Sequence, residues 1–283
     1  MKSFVRVPKT SLILMPLVFF SFAVEAADYW SPRTAALGGA GTAAPLLTDS
    51  LVMNPAMASF IAGYTGSFSF TTFSGPNDSE PKGRIRHISV IDSTNPDFQS
   101  GFGITQNPYG KLYNGILSRK LSENLSVGAG IKHAGGSGSK ASITNFSVGS
   151  VFSPMPLVTL GLLIDNVKEN NTSLQWNAYR AYTLGMKANL EKILMVYVDP
   201  SYAPTRNKSF GYSAGLELPV MKDAFLRMGR SQDVFQPVLG GYGTGVGFGV
   251  GAIFPKFGFD FAHFRTTAPT VSQATSLALS ATF

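Results

Sequence analysis

The last eight residues of the chain, Ser276–Phe283, alternate strictly between two kinds of side chain. Leucine, leucine, alanine and phenylalanine occupy positions 277, 279, 281 and 283, and small, mostly polar residues occupy the positions between them. Because successive side chains of a β-strand point to opposite faces, this pattern predicts a strand with one apolar and one small, polar face. Such a strand suits either the half-buried edge of a soluble sheet or the wall of a membrane-spanning barrel.

The first 26 residues have the layout of a secretory signal peptide. Basic residues precede an apolar run over residues 12–24, and Val24 and Ala26 occupy the small-residue positions of a cleavage site. We therefore predict that residues 1–26 are removed during export. The chain contains no cysteine, so we expect neither a lipid anchor at the cleavage site nor a disulfide in the exported protein.

An exported chain that ends on an amphipathic strand with a final aromatic residue resembles a bacterial outer-membrane β-barrel. In that class the barrel-assembly machinery recognises the terminal strand, which makes Phe283 the expected assembly signal. The composition agrees, because 44% of residues are hydrophobic and 14% are charged, yet no later stretch approaches a spanning apolar helix of about 18 residues. A closed barrel that is apolar outside and polar inside gives every backbone group a partner.

Alternation and turn-forming residues predict fourteen strands, an even number as in single-chain bacterial barrels. If residues 27–62 begin in the periplasm, short turns alternate with longer, polar loops, of which residues 167–179, 232–241 and 265–275 are prominent. Only the short loop at residues 106–110 breaks the pattern. The predicted strands are residues 63–73, 84–92, 98–105, 111–121, 125–133, 143–152, 158–166, 180–190, 193–203, 210–218, 224–231, 242–254, 257–264 and 276–283.

Charged residues within these strands fall at positions opposite the apolar ones. A charge that faces lipid at mid-depth costs about 2–4 kcal/mol, so we expect these side chains, together with His87, to face the lumen. Both signs are present, which fits either a structural ion-pair network or a polar lining for a solute path. The charged residues concerned are Lys132, Asp165, Lys187, Glu217, Arg227 and Asp260.

The twelfth predicted strand carries glycine at alternate positions: Gly243, Gly245, Gly247, Gly249 and Gly251. Glycine inside a strand weakens it and often marks a close approach of backbone or ligand. We therefore predict that Gly245, Gly247 and Gly249 line the lumen and leave room for the N-terminal region or a bound molecule. A bent, loosely packed strand is the alternative.

Residues 27–62 are rich in small side chains and lack strand periodicity. Asn54 followed by Pro55 predicts one helical turn, because asparagine is a good N-cap and proline suits the first helical position. The predicted organisation is a signal peptide at 1–26, an N-terminal hatch at 27–62 and an outer-membrane barrel at 63–283.

Three motifs lie in this region: Leu37-Gly38-Gly39-Ala40-Gly41-Thr42-Ala43, the acidic Asp49, and Asn54-Pro55-Ala56 just ahead of the first strand. Together they resemble the long-chain fatty acid transporter (FadL) superfamily, which includes aromatic-hydrocarbon transporters and PorV-like barrels. The resemblance implies an all-β, fourteen-stranded transmembrane barrel whose N-terminal segment folds into the lumen as a hatch. The implied hatch residues are Leu37, Gly38, Gly39, Gly41, Asp49, Asn54, Pro55 and Ala56.

The chain departs from that family in its short outer loops. Family members of the fatty-acid type have extended loops that form a first hydrophobic collecting site, and no loop here offers a large apolar groove. Trp176, Tyr179 and Phe235 are the aromatic residues predicted near the outer loops. They fit either a reduced collecting site or an aromatic girdle at the membrane surface.

No sequence motif favours an enzyme. His87-Ile88-Ser89 resembles the His-x-Ser arrangement of outer-membrane lipid A deacylases, but no acid is assignable to orient the imidazole, so a polar lumenal pair is the simpler interpretation. His133 and His263 lack metal-ligand spacing, and no phosphate-binding loop is present. We expect no metal, no cofactor and no catalysis.

These features favour a bacterial outer-membrane barrel for passive uptake of hydrophobic or amphipathic small molecules of the fatty-acid or hydrocarbon kind. A structural or secretion-associated PorV-like barrel that binds a protein partner, and a narrow polar porin, are the alternatives. Cleavage after residue 26 lowers the formal net charge from +7 to +5, which is consistent with contact with anionic lipopolysaccharide, although basic side chains in solvated loops and turns are the simpler explanation. No basic stripe of the kind that binds nucleic acid is present. Expected partners are outer-membrane lipid, lipopolysaccharide, the barrel-assembly machinery and a hydrophobic ligand.

Overall fold

The computed structural model describes residues 29–77, 82–108, 110–135, 141–191 and 193–283, so the predicted signal peptide lies outside the described residues. Fourteen antiparallel strands form a closed barrel in which each strand pairs with its sequence neighbours and β1 pairs with β14. The predicted fold class is confirmed. The strands are β1 (Gly63–Ser74), β2 (Gly83–Ser93), β3 (Gln99–Asn107), β4 (Gly110–Ser122), β5 (Leu125–Ala134), β6 (Ile143–Met155), β7 (Val158–Asp165), β8 (Ala181–Leu190), β9 (Leu194–Tyr202), β10 (Phe210–Met221), β11 (Ala224–Gln236), β12 (Gly241–Ile253), β13 (Phe257–Ala268) and β14 (Ser272–Thr282).

The two ends of the barrel differ in the length of their connections. The start of β1 and the end of β14 lie at one end, which we call the turn end because its connections are short, such as residues 123–124 and 156–157. The opposite end, the loop end, carries the longest connection, residues 166–180, with helix α2 (Asn171–Gln175) inside it. This asymmetry is typical of outer-membrane barrels, whose longer loops face the exterior.

Two predicted loops at the loop end are shorter than expected. Strand β11 continues to Gln236 through an irregularity in pairing between Ser231 and Val234, which leaves only residues 237–240 before β12. Strands β13 and β14 likewise extend toward each other and leave residues 269–271 between them. A β-bulge interrupts the alternation of side chains, so a prediction based on alternation ended β11 too early.

The outer face of the barrel is apolar and the inner face is polar. Ile88 is 57% exposed on the outside of β2, whereas the neighbouring His87 and Ser89 are buried on the inside. The terminal residue Phe283 is 84% exposed, and its backbone exchanges hydrogen bonds with Tyr64 at the start of β1. In the part of the chain that the structure describes, no helix is long and apolar enough to cross a membrane.

Residues 29–62, which we call the N-terminal segment, fold into short helices inside the barrel. Helix α1 (Pro32–Ala36) is capped by the Ser31 hydroxyl, which accepts a hydrogen bond from the Thr34 amide at 3.1 Å. A 3₁₀ helix follows at Leu47–Leu51. A second 3₁₀ helix, Pro55–Phe60, begins after Asn54, whose side chain accepts from the Ala56 amide at 3.2 Å, as the sequence predicted.

Candidate functional site

Glycines on the lumenal face of the barrel form seats for the backbone of the N-terminal segment. Gly128 on β5 pairs directly with Gly149 on β6, and both lie against the Asn54–Ala56 turn. A Cβ atom at Gly128 would lie 2.5 Å from the amide nitrogen of Ala56, and one at Gly149 would overlap the Asn54 side chain. Only glycine permits so close an approach at these two positions.

A second seat lies on the next two strands. Gly161 on β7 pairs with Gly185 on β8, and a Cβ atom at either position would lie 2.6 Å from the backbone of Thr42 or Ala43. Here too the chain of the N-terminal segment passes within contact distance of the wall. The seat therefore fixes the depth of the segment in the lumen.

The third seat spans three strands. Gly215 on β10, Gly229 on β11 and Gly247 on β12 form one row of cross-strand partners. A Cβ atom at Gly229 would overlap the carbonyl group of Leu37, and one at Gly247 would overlap that of Ala35. The helix α1 and the turn that follows it therefore rest directly on the barrel backbone.

The predicted glycines of β12 have different surroundings. Gly247 and Gly249 face helix α1, and a Cβ atom at Gly249 would lie 2.8 Å from that of Ala36. Gly245 lies instead against Phe264, and Gly251 lies against the side chains of Arg227 and Asp260. Only the middle of the strand thus forms part of a seat for the N-terminal segment.

Hydrogen bonds fasten the segment where it meets the second seat. The Asp199 carboxylate accepts from the backbone amides of Gly41 and Thr42 at 2.8 and 2.7 Å. Charge-assisted bonds of this kind are about twice as strong as neutral ones. Gly41 has a φ of +140°, a conformation that glycine adopts without strain, so this residue turns its amide toward the carboxylate.

The Asn54–Ala56 turn is fastened as well. The Asn54 side-chain amide donates to the Thr42 carbonyl at 3.0 Å and to the Ser150 carbonyl at 3.2 Å. The Ala56 carbonyl accepts from the hydroxyls of Ser118 and Ser126 at 3.0 and 2.8 Å. Asn54 thus joins two parts of the segment to each other and to the wall.

Most of the motif residues that precede Thr42 are buried, and Gly39 is half-buried at the edge of the lumen. Leu37 has no exposed surface and packs on Gly215 and Gly229. Gly38 has a φ of +68° and lies against the backbone of Arg230, so a side chain there would be both strained and excluded. Gly39 faces the Trp30 ring in the same way.

A buried ion network lies between helix α1 and the turn-end half of the lumen. We call Arg33, Asp49, Glu217, Arg227 and Asp260 the arginine–carboxylate network. Glu217 is its centre, because Arg33 Nε and Arg227 Nε donate to the same carboxylate oxygen at 3.2 and 2.5 Å. Arg33 also lies 3.8 Å from Asp49, and Arg227 pairs with Asp260.

Two further lumenal side chains adjoin this network. The Tyr197 hydroxyl accepts from Arg33 at 3.0 Å and donates to Glu217 at 3.1 Å. Lys187 lies with its ammonium group 6.0 Å from the centre of the Tyr197 ring. The network therefore continues from the N-terminal segment across β8, β9, β10, β11 and β13.

The lumenal environment shifts the pKa values of two charged side chains in the N-terminal segment, Asp49 and Arg33. Burial raises the pKa of Asp49 to about 6, against the opposing attraction of Arg33, so the carboxylate is still ionised at neutral pH. Burial disfavours the charge of Arg33, but Glu217 and the other nearby anionic groups outweigh that effect, and the pKa of Arg33 lies above its ordinary value. Both groups thus carry the charges that the network requires.

A second ion pair lies nearer the loop end. Lys132 on β5 donates to Asp165 on β7 at 2.8 Å, and both side chains are largely buried. Asn145 on β6, the cross-strand neighbour of Lys132, lines the same region. These charges are therefore separate from the arginine–carboxylate network, which the N-terminal segment covers.

A cavity of about 170 Å³ lies between this ion pair, the long loop and the N-terminal segment. Its walls come from the loop-end halves of β4 to β12, and its floor comes from the segment, through residues such as Tyr29, Trp30 and Met53. Aromatic and aliphatic side chains supply much of the lining, including Leu112, Trp176 and Phe235. Most of the cavity surface is apolar, and polar side chains such as Lys132, Asn145, Asp165 and Asp199 supply the rest. A concave, largely apolar surface with polar groups at fixed positions is typical of sites for small molecules.

Of the aromatic residues predicted near the outer loops, Trp176 and Phe235 line this cavity, and Tyr179 contacts the lining residue Tyr242. Trp176 is buried and donates from its indole nitrogen to the Ala141 carbonyl at 2.9 Å. Tyr179 and Phe235 both pack edge-on against Tyr242, each with ring centres 5.6 Å apart. Sequence reasoning missed Tyr242 and the floor residues, because the strand pattern does not show which aromatic residues converge at the loop end.

His87 is placed away from the cavity and has a structural environment. Its ring stacks on Tyr29 at 4.0 Å between centres, and Nδ1 is bonded to the Thr105 hydroxyl at 2.8 Å. The hydrogen-bond partner of Nδ1 is therefore a threonine hydroxyl, whereas a catalytic histidine is oriented by a carboxylate at this position. Within the described ranges, no three histidine, aspartate or glutamate side chains are grouped closely enough to hold a metal ion.

Solved structures of other proteins share this architecture. The Pseudomonas putida toluene transporter TodX is 13% identical, with a TM-score of 0.62 over 90% of this chain and 98% of that chain. The chain has the fold of the FadL-like outer-membrane transporters. The Ralstonia pickettii toluene transporter TbuX is 11% identical with a TM-score of 0.63 over 90% and 99% of the two chains. A Pseudomonas aeruginosa FadL homologue is 13% identical with a TM-score of 0.59 over 89% and 98%. No family model and no curated protein matches the sequence.

Proposed function

We propose that this protein is a bacterial outer-membrane channel for passive uptake of small hydrophobic or amphipathic molecules. The observation that carries the proposal is a mostly apolar cavity at the loop end whose floor is the docked N-terminal segment. The fold supports it, because two of the similar structures are toluene transporters. The loop end then faces the exterior and the turn end the periplasm.

The volume of the cavity favours solutes about the size of a single aromatic ring. An apolar protein cavity of about 150 Å³ holds a benzene molecule, and the volume here is about 170 Å³. A long acyl chain exceeds that space. The Lys132–Asp165 pair and Asn145 at the wall allow a polar substituent on the solute, so the substrate class includes substituted aromatic molecules.

Movement of the N-terminal segment is the step that releases the solute. The segment rests on three glycine seats and is bonded to Asp199 and Glu217 through Gly41, Thr42 and Arg33, and we propose that in this position it closes the path toward the turn end. A solute in the cavity contacts the floor residues Tyr29 and Trp30. Displacement of the segment opens the lumen without unfolding the barrel, because the strands pair with each other all round.

We also propose that insertion into the membrane uses the terminal strand. Strand β14, the final strand in sequence order, closes the barrel against β1, and the exposed ring of Phe283 lies just beyond it. The proposed partner is the barrel-assembly machinery, which acts before the protein functions. No catalytic role is proposed.

Filling the cavity is expected to reduce uptake. Ala181 on β8 lines the cavity, and Ala181→Trp places an indole in the space that a solute would occupy. We expect the rate of toluene uptake by proteoliposomes to fall at least about tenfold, equivalent to a barrier about 1.4 kcal/mol higher. The matched control is Ala188→Trp, on the same strand but on the outer face. Unchanged uptake by a folded Ala181→Trp protein would contradict the proposal.

A further inference from the structure

We propose that an outward-facing basic cluster on β2 and β4 binds the phosphate groups of lipopolysaccharide. The basic cluster consists of Arg84, Arg86 and Lys111. It lies on the outer face of the barrel near the loop end. The inference rests on the proposed outer-membrane location and is otherwise independent of transport.

The alternation of β2 fixes the direction of the two arginines. Ile85 and His87 point into the lumen and are only 3% and 2% exposed, whereas Arg84 and Arg86 point outward and are exposed. The two arginines therefore lie side by side on one face, about 7 Å apart along the strand.

The register of the sheet brings Lys111 to the same level. Arg86 pairs with Gln106 on β3, and Gln106 pairs with Lys111 on β4. The three residues form one row across three strands, so Lys111 lies about 10 Å from Arg86 at the usual strand spacing. A phosphate group above Gln106 is within reach of these long side chains.

The outward-facing residues of β2, β3 and β4 on the turn-end side of the basic cluster place it at the edge of the hydrocarbon layer. Two residues farther along β2 toward the turn end, the outward-facing cross-strand partners are Ile88, Ile104 and Tyr113. Two residues farther again, they include Val90 and Phe102. Ile88, Val90 and Phe102 are each about half exposed on the outer surface. An apolar belt, then a tyrosine, then charges is the order of side chains from the interior of a bilayer to its headgroups.

The described strands around the basic cluster carry few acidic side chains. Among the described residues of β1 to β5, the only acidic side chain is Asp92, and it lies at the turn end of β2. Gln106, between the charges, supplies a neutral amide. Arginine binds phosphate through two parallel hydrogen bonds, and lysine adds a compact positive charge.

These positions identify a lipid as the occupant. Lipopolysaccharide carries its phosphates where the sugar headgroup meets the acyl chains, and it forms the outer leaflet that surrounds the loop end of such a barrel. Its acyl chains would lie along Ile88, Val90 and Phe102 while its phosphates meet the basic cluster. A free phosphate ion would use the charges alone and leave the apolar rows uninvolved.

The test compares lipid binding by two triple variants of the full mature protein in detergent. Arg84→Gln, Arg86→Gln and Lys111→Gln together remove the basic cluster, and titration with bisphosphorylated lipid A is followed by native mass spectrometry. We expect the apparent affinity to fall at least about tenfold, since basic side chains at a membrane surface contribute additively to binding of anionic lipid. The matched control, Arg119→Gln, Lys222→Gln and Lys256→Gln, removes the same charge at the turn end and is expected to bind as the unaltered protein does.

Two further binding measurements distinguish a lipid from a free phosphate ion as the occupant of the site. Dephosphorylated lipid A is expected to bind both triple variants and the unaltered protein equally weakly. Inorganic phosphate is expected not to displace lipid A at matched concentration, and displacement would overturn the assignment to a lipid. Equal lipid A affinity in the two triple variants would overturn the site itself. Toluene uptake by the basic-cluster variant is expected to be unchanged, which separates this proposal from the proposed function.

Discussion

Valine in place of Gly229 is expected to expel the N-terminal segment from the lumen while the barrel still assembles. The new side chain would occupy the space of the Leu37 carbonyl, and the wall cannot move aside because Gly229 is paired on both sides with β10 and β12. Overpacking of this kind costs about 1–3 kcal/mol. Limited proteolysis is expected to cleave residues 29–62 readily in Gly229→Val, and the protein is expected to pass toluene faster than the unaltered chain.

The control for this prediction is the same change at a glycine with space around it. Gly66 on β1 points outward, and a Cβ atom there would have the Ser89 carbonyl as its nearest neighbour at 3.9 Å. Gly66→Val is therefore expected to leave both proteolysis and uptake unchanged. A Gly229→Val protein that folds, resists proteolysis and takes up toluene at the ordinary rate would show that the seats do not hold the segment.

Glutamine in place of Glu217 is expected to give the largest loss of stability. The change removes the carboxylate that Arg33 and Arg227 share, so Arg33 keeps one carboxylate, the more distant Asp49 at 3.8 Å, and Arg227 keeps Asp260. Breaking a buried ion pair from one side costs about 3–5 kcal/mol, because the remaining charges stay buried with less compensation. Urea unfolding of the refolded barrel, monitored by tryptophan fluorescence and heat-modified gel mobility, measures the loss.

A surface ion pair provides the comparison. Lys208 is 75% exposed and pairs with Asp233 at 3.1 Å near the loop end. Lys208→Gln is expected to cost less than about 1 kcal/mol, as is usual for exposed pairs. Adding Arg33→Met to Glu217→Gln is expected to recover part of the stability, because the buried charge that lost its nearest carboxylate is then removed as well. Additive losses in the double variant would show that Arg33 and Glu217 do not act as a pair.

The barrel was predictable from the sequence because its determinants are local. Alternating side chains mark each strand, and turn residues such as those at 123–124 mark the short connections. The direction of a charged side chain follows from the same alternation, which is why Glu217 and Arg227 could be assigned to the lumenal face before the structure was known. The helical turn after Asn54 was predictable for the same reason, since its cap and its proline are adjacent in sequence.

What the sequence could not show depends on contacts between distant residues. Gly128 and Gly149 are cross-strand partners in the register of β5 and β6. Without that register, nothing in the sequence distinguishes either of them from the other glycines of the barrel. Glycines at alternate positions in β12 drew attention to one strand, whereas the seats involve single glycines on β5, β6, β7, β8, β10 and β11 as well. The row that joins Arg86 to Lys111 is likewise a product of strand register.

Locking the N-terminal segment in place tests the central claim most directly. The chain has no cysteine, so Leu37→Cys with Gly215→Cys introduces a single possible disulfide between the segment and β10. A Cβ atom at position 215 would lie 2.9 Å from that of Leu37, a milder contact than the 2.0 Å overlap with the Leu37 backbone at Gly229, and Leu37→Cys also removes the neighbouring Cδ2 atom. A shift of the segment by about 1 Å therefore brings the two Cβ atoms to the spacing of a disulfide, about 3.5–4.5 Å, without expelling it. Each single-cysteine variant serves as the control for the substitutions themselves.

The measurement is toluene uptake by proteoliposomes that contain the double-cysteine protein, before and after reduction. If the segment must leave its seat for a solute to pass, uptake is blocked in the oxidised protein and returns when the disulfide is reduced. Equal uptake in the oxidised and reduced states, with the disulfide verified by mass spectrometry, would contradict the account.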